Sequence, residues 1–318
     1  MSDVWLNKKI LITGGDGFVG RHLVARLLRE GADVAILSNR EKNDAGILPR
    51  DADGKCRFVV GDVGDIRFVS DFFEKEKFHF CFHLAAKALV NEGDKSPVAT
   101  FNTNIMGTVN VLDAGRRGAL DGIVLASTSH VYGENVLPFL EEYFPRPSRP
   151  YETSKACADM IAQTYAIHYN LPVAIARFVN IYGEGDVNPR IIPRTIRKIL
   201  ANERPEIFNS DVVRDYLHID DVVDAYILLA EKMRAGEKNI VYNFGSGERI
   251  SNERLVKKIL MLMGREDLSP LIIEGGRARE IVEQYVSIDK AKNILRWFPK
   301  IFLNEGLERT IAWHKQNL

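Results

Sequence analysis

No stretch limits the fold of this chain more than residues 9–20. Lys9-Ile10-Leu11-Ile12-Thr13 is a short apolar run of the kind a buried parallel strand needs, and it leads directly into Gly14-Gly15-Asp16-Gly17-Phe18-Val19-Gly20. A helical pattern follows, with Leu23, Val24, Leu27 and Leu28 on one side. Glycines at 14, 17 and 20 let the turn tighten, let its backbone approach a pyrophosphate and let helix pack on strand, with the helix N-terminus facing the phosphates. Asp33-Val34-Ala35-Ile36-Leu37 supplies a second strand and completes a βαβ unit.

The end of that second strand is where a dinucleotide-binding unit distinguishes ribose forms. A carboxylate there would accept the adenosine 2′-hydroxyl, but the chain carries Ser38-Asn39-Arg40. This removes repulsion against a 2′-phosphate and offers Arg40 as counter-charge, a tilt toward NADP. Asn39 equally suits a plain ribose, and Arg40 equally reads as a solvated loop charge. Arg57 to Val63 reads as a third strand, with Asp62 and Val63 placed to meet an adenine edge. Phe80 to Ala86 reads as a fourth, whose Leu84, Ala85 and Ala86 lie against the cofactor while His83 is a satisfied core histidine. After Pro97 the apolar periodicity through Asn104, Gly107, Val111 and Leu112 predicts a long helix. Ile123-Val124-Leu125-Ala126 is the fifth strand, and it delivers Thr128 at the carboxyl edge where ligands bind in open α/β sheets.

Val173 to Phe178 is the next strand, and beyond Asn180 the strand-helix alternation becomes irregular. The expected fold is therefore α/β: a Rossmann-type doubly wound parallel sheet over residues 1–179 that holds NAD or NADP. A smaller C-terminal α/β lobe over residues 180–318 follows and sends segments back to the sheet.

Between the fifth and sixth strands lies Tyr151-Glu152-Thr153-Ser154-Lys155. If Pro150 opens a helix, Tyr151 and Lys155 project from one face. A phenol is a poor base at neutral pH, but a lysine cation one turn away and a helix N-terminus beneath it favour the phenolate. A hydroxyl from Thr128 could hold the same substrate oxygen while Tyr151 takes its proton. Such a trio prepares an alcohol carbon to surrender a hydride.

Lys plus Arg equals Asp plus Glu, 43 each. That balance gives no reason to expect nucleic acid or an anionic membrane as partner. Cys56, Cys81 and Cys157 lack metal-ligand spacing and sit among expected core positions, so no metal site and no disulfide framework is anticipated. No signal-peptide pattern and no membrane-length apolar run are present, which places the chain in the cytoplasm.

With these residues laid out, the chain resembles the extended short-chain dehydrogenase/reductase superfamily, in its nucleotide-sugar epimerase/dehydratase branch. Thr13-Gly14-x-x-Gly17-x-x-Gly20 matches that family's cofactor turn, Asp62-Val63 its adenine contact, and Thr128 with Tyr151-x-x-x-Lys155 its catalytic trio. Gly14, Asp16, Gly17, Phe18, Val19, Ser38, Asn39 and Arg40 would then serve the cofactor. His83-Leu84-Ala85-Ala86, Thr103-Asn104-x-x-Gly107-Thr108, Arg177-Phe178-x-Asn180-x-Tyr182-Gly183 and Arg214-Asp215-Tyr216 fit as well.

The resemblance implies a nucleoside-diphosphate sugar as substrate, with Asn180, Arg214 and Arg277 on the diphosphate and Lys87, Ser129 and Arg190 also on the substrate side. It implies a homodimer built from the helix after Pro97 and the helix near Tyr151. Arginine forks suit phosphate oxygens; the other reading of Arg214 is a salt bridge to Asp215 or Asp221.

Members that dehydrate sugars across C5 and C6 carry Asp-Glu directly after the threonine, whereas this chain has Ser129-His130. His130 could act as a surrogate base, since in an extended strand it would share a face with Thr128, or it could be a wall of the pocket. An epimerase, or a dehydrogenase or reductase at C4, needs only the trio. Oxidation at C4 by a 4-epimerase or 4-dehydrogenase/4-keto reductase is therefore expected ahead of a 4,6-dehydratase. A non-catalytic NAD(P)-binding sensor is the alternative of another class, and the intact trio speaks against it.

Overall fold

The computed structural model describes residues 4–41, 54–237, 240–273 and 281–317. In chain order, the first half holds β1 Lys9–Thr13, α1 Phe18–Arg29, β2 Asp33–Ser38, β3 Arg57–Val60, α2 Ile66–Glu76 and β4 Phe80–His83. It continues with α3 Val90–Lys95, α4 Pro97–Phe101, α5 Gly107–Arg117, β5 Gly122–Thr128, α6 Pro150–Tyr169 and β6 Val173–Phe178. The second half adds β7 Asn180–Tyr182, α7 Ile191–Leu200, β8 Glu206–Phe208, β9 Val213–His218, α8 Ile219–Arg234 and β10 Val241–Phe244. Then come β11 Arg249–Ser251, α9 Asn252–Met263, β12 Leu271–Ile273, β13 Glu283–Gln284 and α10 Leu303–Asn317.

Seven strands form one parallel sheet in the order β10-β6-β5-β4-β1-β2-β3. Its strands read as continuous apolar runs because both faces are covered. Side chains alternate between the two. Ile10 and Ile12 enter a core with Leu23, Val24 and Leu27 of α1 and Tyr226 of α8, while Leu11 between them enters the opposite core with Val69 of α2 and Val111 and Leu112 of α5. The seventh strand comes from the second half of the chain, and α8 packs on the same sheet. The remainder of that half builds a smaller layer: β11, β9, β13 and β7 in one sheet, β12 paired with β8, and a third core around Ile196, Ile259 and Leu307.

Several boundaries differ from the sequence reading. β3 stops at Val60 and β4 at His83, so residues 61–63 and 84–86 are loop where strand was expected. The long helix after Pro97 is interrupted by a π turn, Asn102–Met106. That extra residue per turn rotates Asn104 inward, and its Nδ2 donates to Ser154 Oγ at 2.8 Å while its Oδ1 accepts from Lys87 N at 2.8 Å. Asn104 thus joins the loop after β4 to the start of α6. His83 is a satisfied core histidine as expected, bonded to Thr13 Oγ1 at 2.7 Å and Thr108 Oγ1 at 3.1 Å. No helix among the described residues is long and apolar enough to cross a membrane.

Candidate active site

The carboxyl ends of the central strands open on a cavity of about 520 Å³. It is lined by Gly14, Asp16, Gly17, Phe18, Val19, Ser38, Asn39, Arg40, Asp62, Val63, Leu84, Ala85, Ala86, Tyr151 and Lys155. These are the residues the sequence pointed to for a dinucleotide, and they meet because parallel strands end in chain order along one edge. Gly17 caps α1 without a side-chain hydrogen bond, which leaves first-turn N–H groups to a ligand. A Cβ on Gly20 would lie 2.3 Å from the Gly14 carbonyl oxygen, so the cradle closes only around glycine. The residues present therefore fit NAD(P).

Arg40 is about half exposed; its Nη2 lies 2.5 Å from Oδ2 of the buried Asp16 in the glycine turn, and its backbone N donates to Ser38 Oγ at 3.1 Å. Lys87, expected on the substrate side, lines the dinucleotide cavity instead, because Asn104 holds its backbone there.

A second cavity, of about 480 Å³, adjoins the first, and Tyr151 and Arg190 line both. Its walls include Thr128, His130, Glu152, Asn180, Arg194 and Arg214. Pro150 occupies the first turn of α6, so Tyr151 stands at the helix N-terminus as the sequence predicts. Beneath it, Asp159 of α6 receives Arg177 of β6 in a two-pronged pair, 2.8 Å on each prong, and Ser127 Oγ of β5 at 2.8 Å. That buried knot fixes helix against strand and so fixes Tyr151 against Thr128.

The electrostatics differ from the expectation. Lys155 Nζ donates to the carbonyl oxygen of Ala126 at 2.6 Å, and burial pulls its pKa down to about 8, with Asp159 opposing. Burial also raises the Tyr151 phenol above its ordinary value; Arg190 and a hydrogen bond with Thr128 pull it down without cancelling the rise. Arg190 on the rim is a cation whose charge favours the ionised phenol against the burial that disfavours it.

His130 is not on an extended strand. β5 ends at Thr128, whose Oγ1 accepts from His130 N at 3.3 Å, and Ser129–Tyr132 close a 3₁₀ turn. The turn leaves His130 on the second cavity but buries Ser129, which lines neither, so the substrate role expected of Ser129 does not fit its position. His130 Nδ1 lies 3.6 Å from Glu152 Oε1. Glu152 escaped the sequence reading, although its place three residues after Arg149 is that of a capping glutamate; its Oε2 accepts from Arg149 N at 3.2 Å and Ser148 N at 3.0 Å.

Asn180 and Arg214 line the second cavity as the resemblance implied. Asn180 Nδ2 donates to Asp215 O at 3.3 Å, and Arg214 Nη1 to Val213 O at 2.9 Å. The carboxylates suggested as alternative partners for Arg214 are engaged elsewhere: Asp215 accepts from Ser246 and Gly247, and Asp221 from Lys300 and Ile301. Arg277 lies outside the described residues. Arg194 joins Arg190 on the rim, and the spacing of four at the start of α7 was a signal available for it.

An open parallel sheet with a glycine cradle, whose dinucleotide cavity meets an arginine-rimmed one at a buried tyrosine, defines a dinucleotide-dependent α/β enzyme. The model of the NAD dependent epimerase/dehydratase family matches residues 10–245, and the chain belongs to that family. It is 34% identical over 319 residues to a putative UDP-glucose 4-epimerase of Methanocaldococcus jannaschii, with 97% of this chain and 99% of that one covered. Among solved structures it is similar to the UDP-glucose 4-epimerase of Thermotoga maritima with UDP-glucose: TM-score 0.89, 29% identity, 97% and 99% of the two chains covered. It is also similar to the dTDP-glucose 4,6-dehydratase of Bacillus anthracis in complex with NAD: TM-score 0.85, 28% identity, 98% and 97% covered. The chain is thus an NAD(P)-dependent enzyme of the epimerase/dehydratase kind.

Proposed function

We propose that this enzyme oxidises C4 of a nucleoside-diphosphate sugar with NAD(P)+, as a 4-epimerase or a 4-dehydrogenase/4-keto reductase. The observation that supports it most is the meeting of the two cavities at Tyr151, with Thr128 and arginines 190, 194 and 214 lining the second cavity. NAD(P)+ supplies the hydride acceptor. Tyr151 takes the proton from the sugar hydroxyl, Thr128 Oγ1 holds that oxygen, and the arginines and Asn180 orient the diphosphate so that the reacting carbon faces the cofactor cavity. Lys155 keeps β5 and α6 in register. A relative named for UDP-glucose and a structure named for dTDP-glucose make those two sugars the first to try.

The test is to incubate the purified enzyme with NAD+ or NADP+ and each sugar, following reduced-nicotinamide absorbance and the product by NMR. Formation of the C4 epimer or the 4-keto sugar supports the reading; a 4-keto-6-deoxy product moves it to a 4,6-dehydratase, for which His130 is the available base. If no sugar reduces the cofactor or is converted, the reading fails.

We also propose a homodimer through the helices of residues 97–117 and α6, supported by Val98, Met106, Met160 and Ile167, which stand exposed on these mutually packed helices. Light scattering on the wild type and on Met160→Glu tests it. A cytoplasmic location is supported by three free cysteines and by the cofactor.

A further inference from the structure

Residues 183–190, between β7 and α7, belong to the second half of the chain yet are bound to the helix that follows the glycine cradle. Arg21 of α1 is buried and donates its Nη2 to the carbonyl oxygen of Gly185, and His22 Nε2 donates to the carbonyl oxygen of Glu184 at 2.9 Å. Gly185 has φ +83°, in the left-handed region that favours glycine, and a Cβ there would lie 2.9 Å from Arg21 Nη2, so the guanidinium rests directly on the loop backbone. The second lobe holds the same loop from its own side. Glu184 Oε2 lies 3.0 Å from His218 Nε2 and its Oε1 2.7 Å from Arg309 Nε, while Arg197 Nη1 donates to Val187 O at 2.9 Å.

Burying an arginine costs free energy unless its charge is met, and Arg21 feels the opposite charge of Asp186, itself buried. Asp186 Oδ1 accepts from Asn188 N at 3.1 Å and from Asn188 Nδ2 at 2.7 Å. That turn leaves Val187 exposed and brings Asn188 and Arg190 onto the dinucleotide cavity. The Asn188 amide spends one N–H on Asp186, which leaves its carbonyl oxygen and its second N–H to a molecule in that cavity. Arg21 lines neither cavity, so whatever it does for a ligand it does through this loop.

We infer that Asn188 is a cofactor-binding residue supplied by the second lobe, and that Arg21 is the positioning residue that holds it, with Arg190, against the dinucleotide. The cofactor is then gripped from both halves of the chain, by the glycine cradle and by the loop that Arg21 ties down. Because Arg190 also lines the second cavity, the same loop joins the two binding sites.

The experiment titrates enzyme freed of nucleotide with NAD+ or NADP+, whichever the wild type binds more tightly, by calorimetry, and follows release by fluorescence. No sugar enters it, so its outcome is independent of the C4 reading. Asn188→Ala should raise Kd about ten-fold, the size of a lost hydrogen bond, mainly through faster release. Arg21→Met should give a similar loss, and the double variant should be no worse than the weaker single one, because both changes act on one contact. Arg21→Lys, which keeps a donor and the charge opposite Asp186, should recover part of the affinity, and Val187→Ala should bind as the wild type does. An unchanged Kd in Asn188→Ala overturns the inference. So does an Arg21→Met enzyme that melts earlier yet binds the cofactor normally, since its contact is then structural only. Losses that multiply in the double variant show that Arg21 does not act through Asn188 and overturn its positioning role. If Arg21→Met does not fold, Arg21→Lys takes its place in the double variant.

Discussion

Lys155 gives its ammonium to the carbonyl oxygen of Ala126, two residues before Thr128, at 2.6 Å. The lysine therefore staples the helix that carries Tyr151 to the strand that carries Thr128. A Tyr-x-x-x-Lys spacing reads naturally as an ion lowering the pKa of a phenol; here the same spacing also sets a distance between two elements, while burial raises the phenol and Arg190 opposes the rise.

Tyr151→Phe removes the proton acceptor while keeping the ring that lines both cavities. Turnover should fall between about 100-fold and 10⁴-fold, the span of a lost general base. NAD+ affinity, measured by fluorescence titration, should change little. Near-normal turnover would remove Tyr151 from its role.

Because burial raises the Tyr151 phenol, its basic form becomes available only as pH rises, so kcat should climb through the alkaline range. Arg190→Leu takes away the opposing positive charge, which raises the phenol further. The alkaline limb of the kcat profile should then move to higher pH, whereas Arg194→Leu, one turn along α7, should alter KM without moving the limb. An unmoved limb in Arg190→Leu shows that its field does not act on the phenol.

Arg40 is paired with Asp16 on the wall of the dinucleotide cavity. Arg40→Ala should weaken NADP+ binding by about ten-fold relative to NAD+, the size of one charge-assisted hydrogen bond to phosphate. Calorimetric titration with both nucleotides checks it, and equal losses for both would mean that the arginine serves Asp16 alone.

Burial lowers the pKa of His83 from 6.5 to about 3, with Lys155 adding to the effect. Below pH 6.5 the unfolded chain takes up a proton that the native fold refuses. This contribution therefore makes stability fall with pH by about 1.4 kcal/mol per unit between 6.5 and about 3. Urea unfolding across that range should show a shallower acid loss for His83→Gln, on top of a lower stability at pH 7 from the disturbed bonds to Thr13 and Thr108. Parallel curves for variant and wild type would contradict the assignment.

What the sequence by itself determined is the parallel sheet, the glycine cradle and the residues around that cradle that line the dinucleotide cavity. These follow from local causes. Apolar period marks each buried strand, only glycine tolerates the close approach of Gly20 to Gly14, and the ends of successive parallel strands reach one edge wherever the chain is cut. Asn180 and Arg214 were legible through motif resemblance, each lying within a strand of the second lobe, β7 and β9.

Only the tertiary structure decided which partner each polar group takes. The π turn that aims Asn104 at Ser154, the 3₁₀ turn that hides Ser129 and presents His130 to Glu152, the pairing of Arg40 with Asp16 and the approach of Arg190 to Tyr151 all join segments from different elements. The physical reason is that burial sets the cost of each charge and hydroxyl, and burial is a property of the packed chain. A lysine four residues from a tyrosine can answer to that tyrosine or to a carbonyl on the neighbouring strand, and only the fold brings the carbonyl within reach.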